Sequence, residues 1–127
     1  MSPRSSGTSQ EEILRDPDFN HVCFDISWDE VAKYVAASPE ATRITAGLIE
    51  RYPDGFLFGT DAVAPTSQSE YLKVFNQYRP LWNSLPAATR DKVLKQNYER
   101  IFNDARHKVR TWESTHRPPR GTHTPPL

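Results

Sequence analysis

An α/β fold, two parallel strands with surrounding helices, is predicted by three observations. Two short apolar runs, Val22–Cys23–Phe24–Asp25–Ile26 and Phe56–Leu57–Phe58–Gly59–Thr60–Asp61, have the composition of at least partly buried strands. The 27–55 span between them is far too long for a hairpin and carries two helical patterns, so it reads as a right-handed crossover joining a parallel pair. After the second run, apolar residues recur every three or four positions as far as Trp112, the period of helices with one buried face.

The elements follow in order. Glu11 to Arg15 forms a short helix stopped by Asp16–Pro17, because the residue before proline avoids the helical region. In the first strand Val22, Phe24 and Ile26 share one side, and Cys23 and Asp25 the other. Ser27 and Glu30 have the spacing of a capping box, opening a helix over 28–37 with Trp28, Val31, Ala32 and Val35 on one face. Ser38–Pro39 opens a second helix with a packing stripe of Ala41, Ile44, Thr45, Leu48 and Ile49. Tyr52–Pro53–Asp54–Gly55 turns the chain into the second strand, where Gly59 permits a tight bend or close approach.

Ser67 and Glu70 make another capping box. Tyr71, Val74, Phe75, Tyr78, Leu81, Trp82 and Leu85 form a broad aromatic stripe that reads as core, with Pro80 either bending the helix or dividing it at Arg79. Pro86–Ala87 starts a helix carrying Val93 and Leu94. Asn97 is positioned to cap a last helix with the stripe Ile101, Phe102, Ala105, Val109 and Trp112, and this pattern shows no heptad register. Residues 1–10 and 113–127 are polar and lack periodicity. They read as a disordered N-terminal segment and a disordered proline-rich tail flanking a folded 11–112.

Composition removes several function classes. Sixteen basic and sixteen acidic residues cancel and are interspersed, which gives no long-range attraction to nucleic acid or to an anionic membrane. Cys23 is the only cysteine, so no internal disulfide forms, and its apolar run suits a buried thiol. No apolar stretch reaches the length of a membrane span and no signal-peptide pattern is present, so a cytoplasmic location is expected. No phosphate-binding or dinucleotide-binding glycine pattern occurs, and no histidine is placed to serve a nucleophilic serine.

The strand His21–Ser27, the helix ending Ile49–Glu50–Arg51–Tyr52–Pro53, the run Phe56–Asp61 and the late segment Asp91–Phe102 together resemble the amidohydrolase-related metal-dependent hydrolases. The resemblance extends over 11–112 and matches only the last βα units of that family's (β/α)8 TIM barrel, its seventh and eighth strands with their helices. It implies the C-terminal portion of such a hydrolase, acting on C–N or C–O bonds of a small-molecule substrate, with decarboxylation as the other reaction some relatives carry out. It also implies a divalent metal, zinc above all, in the complete enzyme. By the same comparison Asp61 is the catalytic residue and a metal ligand, taking a proton from metal-bound water.

The rest of the ligand set has no counterpart. The resemblance implies a His-x-His pair on the first barrel strand and histidines from the middle strands, whereas the histidines here are His21, His107, His116 and His123. His21 lies at the strand end opposite Asp61, His107 in the last helix, and the other two in the tail. Asp25 and Asp61 share one end of a parallel sheet but bring no imidazole. The expectation is a chain inactive and without tight metal binding by itself, partnered by a missing N-terminal barrel portion or by its own copies. The alternative is a small non-catalytic or degenerate α/β interaction domain.

Overall fold

The computed structural model describes residues 9–118. The first helix, α1 (Ser9–Arg15), ends where Asp16 turns extended before Pro17. The Asp16 carboxylate then accepts the Asp18 N–H at 2.9 Å and caps a 3-10 turn over Pro17–Phe19. β1 (Phe24–Asp25) and β2 (Phe56–Leu57) pair in parallel, with Phe24 opposite Phe56 and Asp25 opposite Leu57. The Phe24 N–H donates to Gly55 O at 2.8 Å and the Ile26 N–H to Leu57 O at 2.9 Å. Regular pairing is thus shorter than the apolar runs, because no third strand among the described residues extends the ladder.

The connection is helical, as the spacing requires: α2 (Asp29–Val35), then α3 (Pro39–Arg51). The Ser38 hydroxyl accepts the Ala41 N–H at 3.1 Å and Pro39 occupies the first turn of α3, where a missing N–H costs nothing. α3 buries Thr42, Ala46 and Ile49, while Ile44 of the expected stripe is exposed. A sheet of two strands is too narrow to cover the whole apolar width of this helix.

After β2, α4 (Gln68–Gln77) and α5 (Arg79–Ser84) are divided at Tyr78, with Pro80 in the opening turn of α5. α6 (Ala87–Asp91) passes through a π-helical turn, Lys92–Gln96, into α7 (Asn97–His116). Asn97 has helical backbone angles inside this continuous run, so it does not cap a separate helix. The core comprises Ile49, Phe56, Tyr78, Leu81, Trp82 and Val93, with Ile26 and Leu85 beside them. Phe58 presents its ring edge-on to Tyr78 at 4.8 Å and to Trp82 at 4.9 Å, the arrangement favoured by ring quadrupoles. The aromatic stripe is therefore core from Val74 to Leu85, although Tyr71 is exposed.

Both folded-region boundaries shift. Ser9 and Gln10 belong to α1, and residues 113–116 complete α7, so the limits drawn at 11 and 112 fall within helices. The disorder expected of residues 1–8 and 119–127 lies outside the described residues. In α7 only Ile101 of the expected stripe is half-buried; Phe102, Val109 and Trp112 are exposed. Twenty residues of helix extend about 30 Å, beyond the body on which its first turn rests.

Ile49→Ala, at a fully buried position, is expected to cost about 2–5 kcal/mol through lost transfer energy and a residual cavity. Ile44→Ala, on the uncovered flank of the same helix, is expected to stay within about 0.5 kcal/mol. Urea midpoints of the two variants at constant m-value measure the difference.

Candidate functional site

Parallel pairing brings the carboxyl ends of β1 and β2 to the same end of the sheet; Asp25 is the last residue of β1, and Asp61 follows four residues after the end of β2. Ser27 links the two chains there. Its hydroxyl donates to Asp25 Oδ1, and the same oxygen accepts the Gly59 N–H at 2.6 Å. Asp25 Oδ1 also accepts the Ser27 N–H at 2.8 Å. Gly59 has no positive φ; what its lack of a side chain provides is proximity, since a Cβ would lie 3.3 Å from Ser27 Oγ.

Ser27 is thereby removed from the capping role its spacing with Glu30 suggested. Trp28 is the residue that enters α2, and it makes no side-chain cap. In its place the Asp29 carboxylate accepts the Glu30 N–H at 2.9 Å. The second expected box is also displaced by a residue: Glu70 accepts from the Thr66 N–H at 2.7 Å and the Thr66 hydroxyl at 3.0 Å. At the end of β1 the Ser27 hydroxyl has a competing acceptor in its own strand, Asp25, and a donor from across the sheet, Gly59, which helix-start spacing does not register.

Beneath this end lies Tyr78. Its hydroxyl is 2.5 Å from Ile26 O and 2.6 Å from Trp28 O, one proton shared between two carbonyls. Trp28 stands at φ 88°, a region that bulky side chains rarely enter, and its ring is half exposed beside the strand ends rather than packed under α2. The Tyr78 bond offsets the backbone strain by holding the Trp28 carbonyl. Burial raises the Tyr78 pKa, and the negative charges of Asp25 and Asp29 raise it further. The phenol is consequently a fixed, neutral donor. Sequence periodicity identified Tyr78 as a core residue, but its bonds reach back fifty and more positions; the only sequence signal was that a buried tyrosine hydroxyl needs a partner.

Asp61 lies past the end of β2 with φ 50°, a left-handed conformation that aspartate tolerates better than most residues. It is exposed, and among the described residues its carboxylate has no hydrogen bond or ion pair. Nor do three His, Cys, Asp or Glu side chains among those residues converge in a manner that would hold a metal ion. His21 is exposed before β1, on the amino side of the sheet. His107 is exposed on α7, and His116 stacks on Trp112 with ring centroids 4.5 Å apart. His123 is outside the described residues. The donor set among the described residues does not fit the zinc that the family resemblance implies.

The late segment has a structural function at the opposite end. Asn97 is fully buried, and its Nδ2 donates to Pro53 O at 2.7 Å and Phe56 O at 2.9 Å. Its Oδ1 accepts from Arg100, whose other nitrogen donates to Asp54 O at 3.0 Å. Lys92 and Arg100 both approach the Asp54 carboxylate, at 3.0 and 3.4 Å. These exposed ion pairs contribute little, whereas the buried amide satisfies the buried Phe56 carbonyl and the part-buried Pro53 carbonyl. Two of the four segments on which the resemblance rests, Phe56–Asp61 and Asp91–Phe102, therefore touch each other. Cys23 is half-buried, with its thiol 3.7 Å from the Asp54 carbonyl.

A groove of about 760 Å³ lies elsewhere, walled by Ala36, Ala46 and Gly47, with Arg43, Glu50 and Ser84 on its lining. It includes neither Asp25 nor Asp61, and its position along α3 and α5 marks an uncovered helix surface rather than the strand-end chemistry. No helix among the described residues is long and apolar enough to cross a membrane. No family model matches the chain, and no curated protein or solved structure matches it significantly.

Two outcomes are expected of substitutions here. Asn97→Ala should cost about 1–3 kcal/mol by leaving buried carbonyls unpaired, read as a lowered denaturant midpoint. For Tyr78 the folded pKa is raised above the unfolded phenol value near 10, so its contribution is complete below about pH 10 and is lost as the pH climbs toward the folded value. Tyr78→Phe should lower stability by about 1–3 kcal/mol at neutral pH and lose this share of the alkaline slope. Parallel slopes for the two proteins in alkaline denaturation curves would contradict the assignment.

Proposed function

We infer that this chain is the C-terminal part of an amidohydrolase-related metal-dependent hydrolase and contributes Asp61 to an active site whose remaining groups come from outside it. The observation that carries this reading is the parallel β1–α2–α3–β2 crossover, with Asp25 closing β1 and Asp61 in the segment that leaves the same end of β2. In parallel α/β folds functional groups gather beyond the carboxyl ends of the strands. Two further features support it. Both outer edges of the strand pair lack a neighbouring strand among the described residues, and the α3–α5 groove and Ile44 leave helix surface uncovered.

In this reading the complete enzyme hydrolyses a C–N or C–O bond, or decarboxylates, in a small-molecule substrate in the cytoplasm. By the resemblance, Asp61 would be one carboxylate of a metal site completed from outside the chain, where it could accept a proton from water. Ser27, Gly59 and Tyr78 position the two strand ends that carry the carboxylates. The partner is the N-terminal barrel portion, which would supply the histidines and close the sheet edges. The exposed, unpaired carboxylate of Asp61 also suits a second reading, a non-catalytic α/β interaction domain in which no chemistry remains.

The test combines metal content with complementation. The purified chain alone is expected to carry no stoichiometric zinc and no amidase or esterase activity. Combined with the product of an adjacent upstream reading frame containing the His-x-His pair, it should gain both, and Asp61→Asn should abolish activity by at least a hundredfold while the complex still forms. If no such frame exists and the chain is a cooperatively folded monomer, the interaction-domain reading replaces the hydrolase one. Stoichiometric zinc on the chain alone, lost in Asp61→Asn, would sink the idea of a site completed by another polypeptide and favour one completed between copies.

A further inference from the structure

We propose that α7 is a self-association helix that pairs in parallel with α7 of a second copy along a seam of Tyr98, Phe102, Ala105, Val109 and Trp112. Residues 102–112 are all exposed, and the large apolar members of the seam are each about half exposed or more. With Ile101 included, the apolar stripe of α7 has no heptad register. The structure separates them: Ile101 is half-buried, one turn from the buried Asn97, and the apolar residues left outside recur at alternating intervals of four and three. A helix laid on a globule has a wider, 3.6-period stripe, whereas alternation averaging 3.5 is the narrow seam of one helix wound on another.

Shape and charge both select a copy of the same helix as the occupant. The surface between Phe102, Ala105 and Val109 is concave, about 340 Å³ including Arg106 and Glu113 on its lining, because the small Ala105 lies between two larger side chains. Such a depression receives a knob from a facing helix, and α7 itself carries suitable knobs in Phe102 and Val109. The helix bears Arg100, Arg106, Lys108 and Arg110 against Glu99, Asp104 and Glu113, so neither sign dominates and a second copy is not repelled. In the heptad these positions define, Lys108 and Glu113 flank the core. Parallel alignment sets Lys108 of each copy against Glu113 of the other, giving two symmetric pairs. An antiparallel pair centred on Ala105 would oppose Arg106 to Arg106.

The globular bodies do not obstruct this arrangement. Asn97, Arg100 and Ile101 face the body, and the seam lies roughly a quarter turn around the helix from them. A two-fold axis along the seam then places the bodies on opposite sides of the helix pair. The seam also leaves the strand ends at Asp25 and Asp61 free, so this association is independent of the hydrolase reading.

Sedimentation equilibrium of the full chain over a wide concentration range tests the proposal. The wild type is expected to show a reversible monomer–dimer equilibrium. Val109→Lys, at an exposed position that the fold does not use, should weaken dimerisation at least tenfold while far-UV circular dichroism and the denaturant midpoint are retained. Lys108→Glu and Glu113→Lys should each weaken it, and the double exchange should restore it. A wild-type monomer at all concentrations, or a dimer indifferent to Val109→Lys, would overturn the proposal. Failure of the double exchange to restore association would overturn the parallel arrangement.

Discussion

Two parallel strands of two residues each exchange too few backbone hydrogen bonds to hold their own register, and the rest of the structure depends on how side chains clamp them. At the amino end of β2 the clamp is Asn97, whose buried amide spans the Pro53 and Phe56 carbonyls. At the carboxyl end it is Tyr78, which binds the Ile26 and Trp28 carbonyls from below, together with Ser27, which joins Asp25 to Gly59 from above. Each is a polar group brought by a helix or a loop to satisfy backbone that a neighbouring strand would otherwise pair. In a wider sheet the ladder would supply these bonds itself.

That arrangement explains where the molecule is rigid and where it is open. Core packing concentrates around Ile49, Phe56, Tyr78, Leu81, Trp82 and Val93, all tied to the strand pair or its clamps. Away from this centre, helices retain apolar surface that no described residue covers: Ile44 on α3, the groove between α3 and α5, and the outer face of α7. The same geometry bears on chemistry. Asp25 is held by Ser27, whereas Asp61 is exposed beyond the last ordered pairing of β2. A carboxylate so placed is accessible for completion by other groups, but no side chain among the described residues holds it in one orientation. Only when desolvated and flanked by ligands does such a group acquire catalytic character.

Much of the topology was legible in the chain because it rests on local rules. The 27–55 separation excluded a hairpin, Ser38–Pro39 marked the start of α3, and the proline at 80 divided α4 from α5 to within a residue. The aromatic stripe from Val74 to Leu85 was core, as its helical spacing implied. The failures have a common cause. Ser27 and Ser67 had correct capping spacing yet bonded elsewhere, and Asn97 looked like a cap but lay within a helix and pinned a distant turn. Short polar side chains have several acceptors of similar strength, and which one prevails depends on what folding brings near.

What the sequence by itself determined, then, was the succession of elements, the parallel crossover and the placing of the carboxylates Asp25 and Asp61 toward the carboxyl ends of its strands. Periodicity, proline and connection length act within a few residues or set simple geometric limits, so no partner need be known. Only the tertiary structure decided which apolar faces were used, which polar groups acted as clamps, and how isolated Asp61 remained. Those outcomes rest on contacts across thirty to fifty residues, such as Ser27 with Gly59 and Tyr78 with Ile26. It also separated Ile101 from the outer seam of α7, because a helical stripe specifies that a face is apolar but not how much of it the body will cover.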